Sequence, residues 1–221
     1  MMATSNKKIK IAVSPSDQYG NRYAYGDTNE GYQMHRVAEK LVDHLVRCGV
    51  EVVYLPSGYL RDRVNKANAE KVDGYIANHS NAFDGSVQGI RVHCYPSDKS
   101  RKFGKCIMAA LDMVYDGFTK SKIVETDSLY ELKYPFAPAV LPEIGFHDNP
   151  DDAKWIVNHV DQIAEALAKG ICEYFKIPYV SRETIMYHVQ VGAFEKRENA
   201  EKMLATVKQD YPNAFIKEVR T

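Results

Sequence analysis

The sequence has no excess of either charge and no long hydrophobic run, and these two absences exclude whole classes of protein. Among its 221 residues 29 are basic and 29 are acidic, so the many phosphate contacts that duplex nucleic acid requires are not expected. The apolar run nearest the start, Ile11–Val13, is too short for a signal peptide or a membrane span. We therefore expect a protein without nucleic-acid or membrane partners that is made and held in the cytoplasm.

Cysteine is scarce as well. The four cysteines lie far apart, without the close pairs of a zinc knuckle or a redox motif: Cys48, Cys94, Cys106 and Cys172. Each lies in an apolar or amphipathic stretch, so we expect buried, reduced thiols rather than a disulfide framework.

What the sequence does contain is an alternation of β-rich runs with helical periodicity. Strands are predicted at Lys8–Val13, Val50–Leu55, Val72–Ala77, Gly89–Tyr95 and Ala139–Ile144. Helices are predicted at Glu30–Cys48, Leu60–Glu70, Ser100–Tyr115 and Asp151–Phe175, where apolar residues recur at helical steps. This alternation is typical of an α/β domain with a mostly parallel twisted sheet and helices on both faces, here over residues 8–176.

The pattern changes after Pro178, where a polar linker is predicted over residues 177–185. A second unit over 186–221 is predicted to be βαβ, with a strand at Met186–Val191, a helix at Glu195–Gln209 and a strand at Ala214–Val219. So small a unit buries too little apolar surface to be stable alone, and we expect it to dock, dimerise or swap.

Polar side chains follow the predicted strands at the edge where an open α/β sheet binds ligands. Gln18 follows the first strand, and His79 and Asn81 follow the third. Glu143 interrupts the last strand, and Glu30 opens the first helix. Such a set suits a hydrolytic zinc site, in which one glutamate stays unbound to take a proton from water. Taken singly, each residue also fits a structural hydrogen bond, a helix-dipole contact or a salt bridge.

Four segments together resemble the zinc-dependent N-acetylmuramoyl-L-alanine amidases of bacterial and phage cell-wall lysis: Ile11–Gln18, Thr28–Glu30, Asn78–Ala82 and Pro138–Pro150. The most specific piece reads Glu143-Ile-Gly-Phe-His-Asp-Asn-Pro150. The resemblance covers about residues 8–176. It implies that Glu30 and His79 bind one Zn²⁺ ion and that Glu143 is catalytic.

The loop after the first strand departs from that family. The family has a zinc-binding histidine in a Pro-Gly-His-Gly loop, and this loop reads Pro15-Ser16-Asp17-Gln18. Gln18 supplies a neutral oxygen for a neutral nitrogen and keeps the charge of the site, whereas Asp17 would raise the pKa of a zinc-bound water. Gln18 is our predicted metal ligand, with Asp17, a water molecule and His35 as alternatives. The remaining interpretation is that this loop is an ordinary turn and that the metal site is impaired.

The family resemblance implies cleavage of the amide bond between N-acetylmuramic acid and L-alanine in peptidoglycan. In that reaction Glu143 takes a proton from a zinc-bound water and returns it to the departing amine. The aromatic loop over residues 19–29, with Tyr25, and Asn81 at the end of a strand are the predicted substrate contacts.

The segment Tyr187–Phe194, with Asn199, Ala200 and Leu204, resembles the first half of a SPOR domain, which binds glycan strands stripped of peptide. That family packs two βαβ halves as one sheet, and a single half leaves an exposed edge. We therefore expect two copies to pair as a homodimer. A short C-terminal fragment, released at an internal translation start or a nick near Met186, is the alternative partner.

Three functions compete. The leading one is a peptidoglycan amidase, either a phage or prophage endolysin that reaches the wall after holin-dependent release or a sporulation amidase of mother-cell lysis. The second is a catalytically impaired peptidoglycan-binding protein. The third is a zinc exopeptidase acting on free peptides, which has little use for a glycan-binding unit.

Overall fold

The computed structural model describes residues 8–117, 121–182 and 189–218. The chain divides into two compact units, one up to Arg182 and one from Glu183 onward. Met186, with the predicted internal start, lies outside the described residues.

One six-stranded sheet forms the centre of the first unit. Its strands are β1 (Lys10–Pro15), β2 (Glu51–Tyr54), β3 (Gly74–Asn81), β4 (Arg91–Cys94), β5 (Lys122–Glu125) and β6 (Ala139–Phe146). They lie in the order β2-β1-β3-β6-β4-β5, and only the β4–β6 pair is antiparallel. The predicted mostly parallel sheet is therefore confirmed.

Helices cover both faces of this sheet. They are α1 (Glu30–Arg47), α2 (Leu60–Ala69), α3 (Asp98–Asp112), α4 (Tyr130–Lys133), α5 (Pro150–Asn158) and α6 (Val160–Phe175). Side chains alternate along β1, so Ile11 and Val13 pack in one core with α1, α3 and α6, and Ala12 packs in the other with α2 and α4. Among the described residues no helix is long and apolar enough to cross a membrane.

Two predictions about this unit need correction. The single helix predicted over Asp151–Phe175 is two helices, because His159 has non-helical backbone angles and its Nδ1 donates to the carbonyl of Trp155 (2.8 Å). The strand β5 and the one-turn helix α4 were not predicted, because β5 has only two adjacent apolar residues, Ile123 and Val124, and α4 is a single turn. All four cysteines are free as expected, but only Cys94 and Cys172 are fully buried.

Among its described residues the second unit contains one helix, α7 (Arg197–Val207), which lies within the predicted helix Glu195–Gln209. The described parts of its two predicted strands, 189–191 and 214–218, are not in strand conformation, so the predicted βαβ unit is wrong there. A strand needs a neighbouring strand for its backbone groups, and among the described residues neither segment joins a β-ladder. Residues 186–188 and 219 of those strands lie outside the described ranges.

Candidate functional site

The carboxyl ends of three neighbouring parallel strands bring the predicted site residues together. Gln18 follows β1, which pairs with β3, and His79 of β3 is the register partner of Glu143 in β6. Glu30 is the first residue of α1, whose start is fixed by Asn29 accepting a hydrogen bond from the amide of Tyr32 (2.9 Å).

Three of these side chains meet at one ring nitrogen. Glu30 Oε1 lies 3.0 Å from His79 Nδ1, and Gln18 Nε2 lies 3.4 Å from the same atom. Asn21 links Gln18 to Glu30, because its Nδ2 donates to Gln18 Oε1 (3.1 Å) and to Glu30 Oε2 (2.7 Å). Gln18, Glu30 and His79 therefore converge as the sequence predicts, with Asn21 as an additional member.

Glu143 lies beside this cluster with one oxygen unused. Its Oε2 is buried and has no hydrogen-bond partner among the described residues. Burial raises the pKa of Glu143 to about 7, although the positive charge of His79 opposes the rise and Glu30 adds to it. A carboxyl group of this pKa both accepts and releases protons near neutral pH, as a general base and acid must.

The cluster favours a positive charge at its centre. Burial by itself would lower the pKa of His79, but hydrogen bonds and charges from Glu131, Glu30 and Glu143 raise it to about 10. Burial would likewise raise the pKa of Glu30, yet hydrogen bonds from His79, Asn21 and others hold it below the ordinary value. Three carboxylates thus surround one imidazole, and such an environment stabilises a cation.

Asp17 and His35, the alternative ligands, have other partners. The buried guanidinium of Arg63 donates through Nη2 to Asp17 Oδ2 (2.5 Å) and through Nη1 to the carbonyl of Pro15 (2.8 Å). His35 Nε2 lies 3.4 Å from the hydroxyl of Tyr19, at the surface. The geometry therefore favours Gln18 over both.

The two predicted substrate contacts lie at the same edge of the sheet. Asn81 ends β3, and its Oδ1 accepts a hydrogen bond from the amide of Ala82 (2.8 Å). Tyr25 lies between β1 and α1 and is 39% exposed. Its neighbour Tyr23 is buried instead, stacked on His147 and donating to Ser80 Oγ (2.9 Å), so the loop is anchored there. The substrate roles of Asn81 and Tyr25 stay predictions.

Sequence reasoning missed Glu131, a buried residue of α4. Its Oε1 accepts hydrogen bonds from Ser14 Oγ and Tyr75 Oη, both at 2.6 Å, and its Oε2 lies 3.8 Å from His79 Nε2. Burial opposes its ionisation, but these partners lower its pKa. A signal was present, because Glu131 interrupts the apolar run Leu129–Leu132 as Glu143 interrupts its strand.

The residues of this cluster fit a zinc ion. In the described ranges no three His, Cys, Asp or Glu side chains are grouped to hold a metal, and the third donor here is an amide. A glutamate oxygen and an imidazole nitrogen are ordinary zinc ligands, and Gln18 adds a weaker neutral one once its terminal amide is rotated to present the oxygen. The unpartnered oxygen of Glu143 beside them is an acceptor in need of a donor such as a bound water.

An α/β fold with such a cluster at the carboxyl ends of its strands is the arrangement expected of a hydrolytic enzyme domain. Residues 14–173 match the N-acetylmuramoyl-L-alanine amidase family, and the chain belongs to that family. Residues 148–221 match the SPOR domain. The first part of the second match falls on α5 and α6, which belong to the amidase fold. The resemblances to the amidase family and to a SPOR domain are thereby confirmed.

Relatives cover mainly the first unit. The chain is 27% identical over 153 residues to the N-acetylmuramoyl-L-alanine amidase CwlM of Bacillus licheniformis, covering 66% of this chain and 57% of the relative. It is 28% identical over 167 residues to the endolysin of Bacillus phage SPP1, covering 71% and 58%. The chain thus spans less than two thirds of the length of either relative.

A solved amidase structure has the same fold. The N-acetylmuramoyl-L-alanine amidase from Clostridium difficile 630 superposes with a TM-score of 0.70 at 21% identity, covering 76% of this chain and 97% of the other.

Proposed function

We propose that this chain is a zinc-dependent hydrolase that cleaves the amide bond between N-acetylmuramic acid and L-alanine in peptidoglycan. The observation that carries the proposal is the buried, unpartnered Oε2 of Glu143 beside the Glu30–His79 pair. Membership of the amidase family supports the choice of bond.

Each residue of the cluster has a distinct part in this reaction. Glu30, His79 through Nδ1, and Gln18 would hold the metal, and Asn21 orients Glu30 by donating to its Oε2. A bound zinc ion supplies a Lewis acid that acidifies a water and polarises the scissile carbonyl. Glu143 accepts the proton of the attacking water and delivers it to the departing amine of L-alanine. The reaction needs no covalent intermediate.

The test is the variant Glu143→Gln, which keeps the shape of the side chain and removes its basicity. Purified peptidoglycan is digested, and new L-alanine amino groups, new reducing ends and bound zinc are quantified together. We expect release of amino groups without reducing ends, slowed about 10²–10⁴-fold in the variant, with zinc content unchanged. The matched control is Glu125→Gln, which makes the same change at an exposed carboxylate of β5 that pairs with Arg101.

Two results would reject the proposal in different ways. Digestion by Glu143→Gln at the wild-type rate removes Glu143 from the chemistry. No digestion by the unaltered chain, on walls with which it nevertheless sediments, favours the catalytically impaired binding protein.

We further propose that the enzyme is a phage or prophage endolysin, held in the cytoplasm until lysis opens the way to the wall. The similarity to the endolysin of phage SPP1 supports this setting. A sporulation amidase acting in mother-cell lysis is the alternative, since the same site and fold serve both.

The second unit is proposed to bind peptide-free glycan strands and to pair with a second copy of itself. Its match to the SPOR domain supports glycan binding. Pairing is supported by its apolar residues, because no residue of α7 is buried and Val189, Tyr211 and Phe215 are largely exposed. Apolar surface left uncovered on so small a unit favours self-association. A short C-terminal fragment that supplies the second half is the alternative partner.

A further inference from the structure

The two ring nitrogens of His79 have different carboxylate neighbours. Nδ1 lies 3.0 Å from Glu30 Oε1, within the proposed ligand cluster. Nε2 lies 3.8 Å from Glu131 Oε2, which is within the range of an ion pair but longer than a direct hydrogen bond. The imidazole therefore lies between one carboxylate on the metal side and another on the side of α4.

Glu131 is held in place by two hydroxyl groups. Ser14 Oγ and Tyr75 Oη both donate to its Oε1 at 2.6 Å. Ser14 Oγ is in turn a hydrogen-bond acceptor for Nη1 of the buried Arg63 (3.2 Å). These bonds occupy one oxygen of the carboxylate and leave Oε2 for His79.

We infer that Glu131 is a positioning residue that accepts the Nε2–H of His79 and so presents a deprotonated Nδ1 to the metal. A histidine that binds a metal through one nitrogen commonly donates the other N–H to a carboxylate, which fixes its tautomer and ring orientation. The inference requires His79 Nε2 and Glu131 Oε2, 3.8 Å apart here, to approach to hydrogen-bond distance when the metal is bound. The inference rests on the proposed function, because it requires a metal at Nδ1.

If Glu131 has only a structural role, different results are expected. In that role its Oε1 joins β1 to β3 through Ser14 and Tyr75. Tyr75→Phe removes one of those bonds and leaves Oε2 beside His79. A structural role therefore predicts that Tyr75→Phe and Glu131→Gln both lower stability and that neither changes metal affinity once folded.

The experiment measures Zn²⁺ affinity of the metal-free full chain by competition with a chromophoric chelator. Loss of such a carboxylate lowers metal affinity about 10–100-fold, and we expect a loss of that size in Glu131→Gln. We expect Tyr75→Phe to stay within about threefold of the wild type, since the carboxylate that receives Nε2–H remains. The matched control is Glu125→Gln, the same chemical change in β5 at an exposed carboxylate paired with Arg101.

A second measurement needs no variant and covers the case in which Glu131→Gln does not fold. In the zinc-loaded wild-type chain, ¹⁵N spectra of the histidine rings report which nitrogen of His79 carries the proton. We expect the proton on Nε2 and the metal on Nδ1. The opposite tautomer, or wild-type zinc affinity in a folded Glu131→Gln, would overturn the inference and leave the proposed amidase intact. A wild-type chain that binds no zinc would overturn both.

Discussion

The helices α1 and α7 have the same sequence pattern, but only α1 has buried residues. Both carry apolar residues at three- and four-residue steps, and both are predicted on that basis. In α1, Val37, Leu41 and Leu45 are fully buried, whereas no residue of α7 is buried. The comparison teaches that an apolar stripe predicts a helix but not a core, because burial requires a second surface that the stripe can pack against.

The largest effect is expected from the same truncation made in both helices. Leu41→Ala removes a fully buried side chain and should lower the free energy of unfolding by about 2–5 kcal/mol, through lost burial and the cavity left behind. Leu204→Ala in α7, measured at a concentration where the chain is monomeric, should change it by no more than about 0.5 kcal/mol, because within one chain that side chain is only half-buried. Urea unfolding followed by the fluorescence of Trp155 gives the value for the first unit, and far-ultraviolet circular dichroism of α7 gives the value for the second.

This pair of variants can also break the comparison. A large, concentration-dependent loss of stability in Leu204→Ala would show that α7 buries its stripe against a second copy. A small loss in Leu41→Ala would show instead that the first unit does not depend on its core as the packing requires.

The sequence predicts the features that depend on neighbouring residues and does not predict contacts between residues that are far apart in the chain. Strand alternation and the rule that ligands lie at carboxyl ends of strands are local, and they suffice to predict that Glu30, His79 and Glu143 share one edge of the sheet. The contact of Ser14 with Glu131 joins residues 117 positions apart, and no local pattern encodes it. The same holds for Arg63, whose bond to Asp17 favours Gln18 as the metal ligand.

Helix capping provides a second, smaller contrast between the units. Asn149 accepts hydrogen bonds from the amides of Asp151 (3.0 Å) and Asp152 (3.2 Å) at the start of α5, whereas Lys196 before α7 makes no side-chain cap. Asn149→Ala should therefore cost about 0.5–2 kcal/mol. Lys196→Asn should increase helicity in far-ultraviolet circular dichroism by supplying the missing acceptor. If Asn149→Ala left stability unchanged and Lys196→Asn left helicity unchanged, the difference in capping between α5 and α7 would have no energetic consequence.

The smallest effect on stability is expected from removing the second unit altogether. In the described part of the chain, every residue of the two hydrophobic cores, and every apolar residue packed against them, lies at or before Tyr179. A chain ending at Arg182 should therefore unfold within about 0.5 kcal/mol of the full chain, since it keeps both cores.

The sedimentation mass of this truncated chain should be that of one chain and its binding to peptide-free glycan should be lost, whereas the full chain should sediment at twice its own mass. A full chain that sediments as a monomer would disprove the pairing, and a truncated chain that unfolds far more easily would show that the first unit depends on the second.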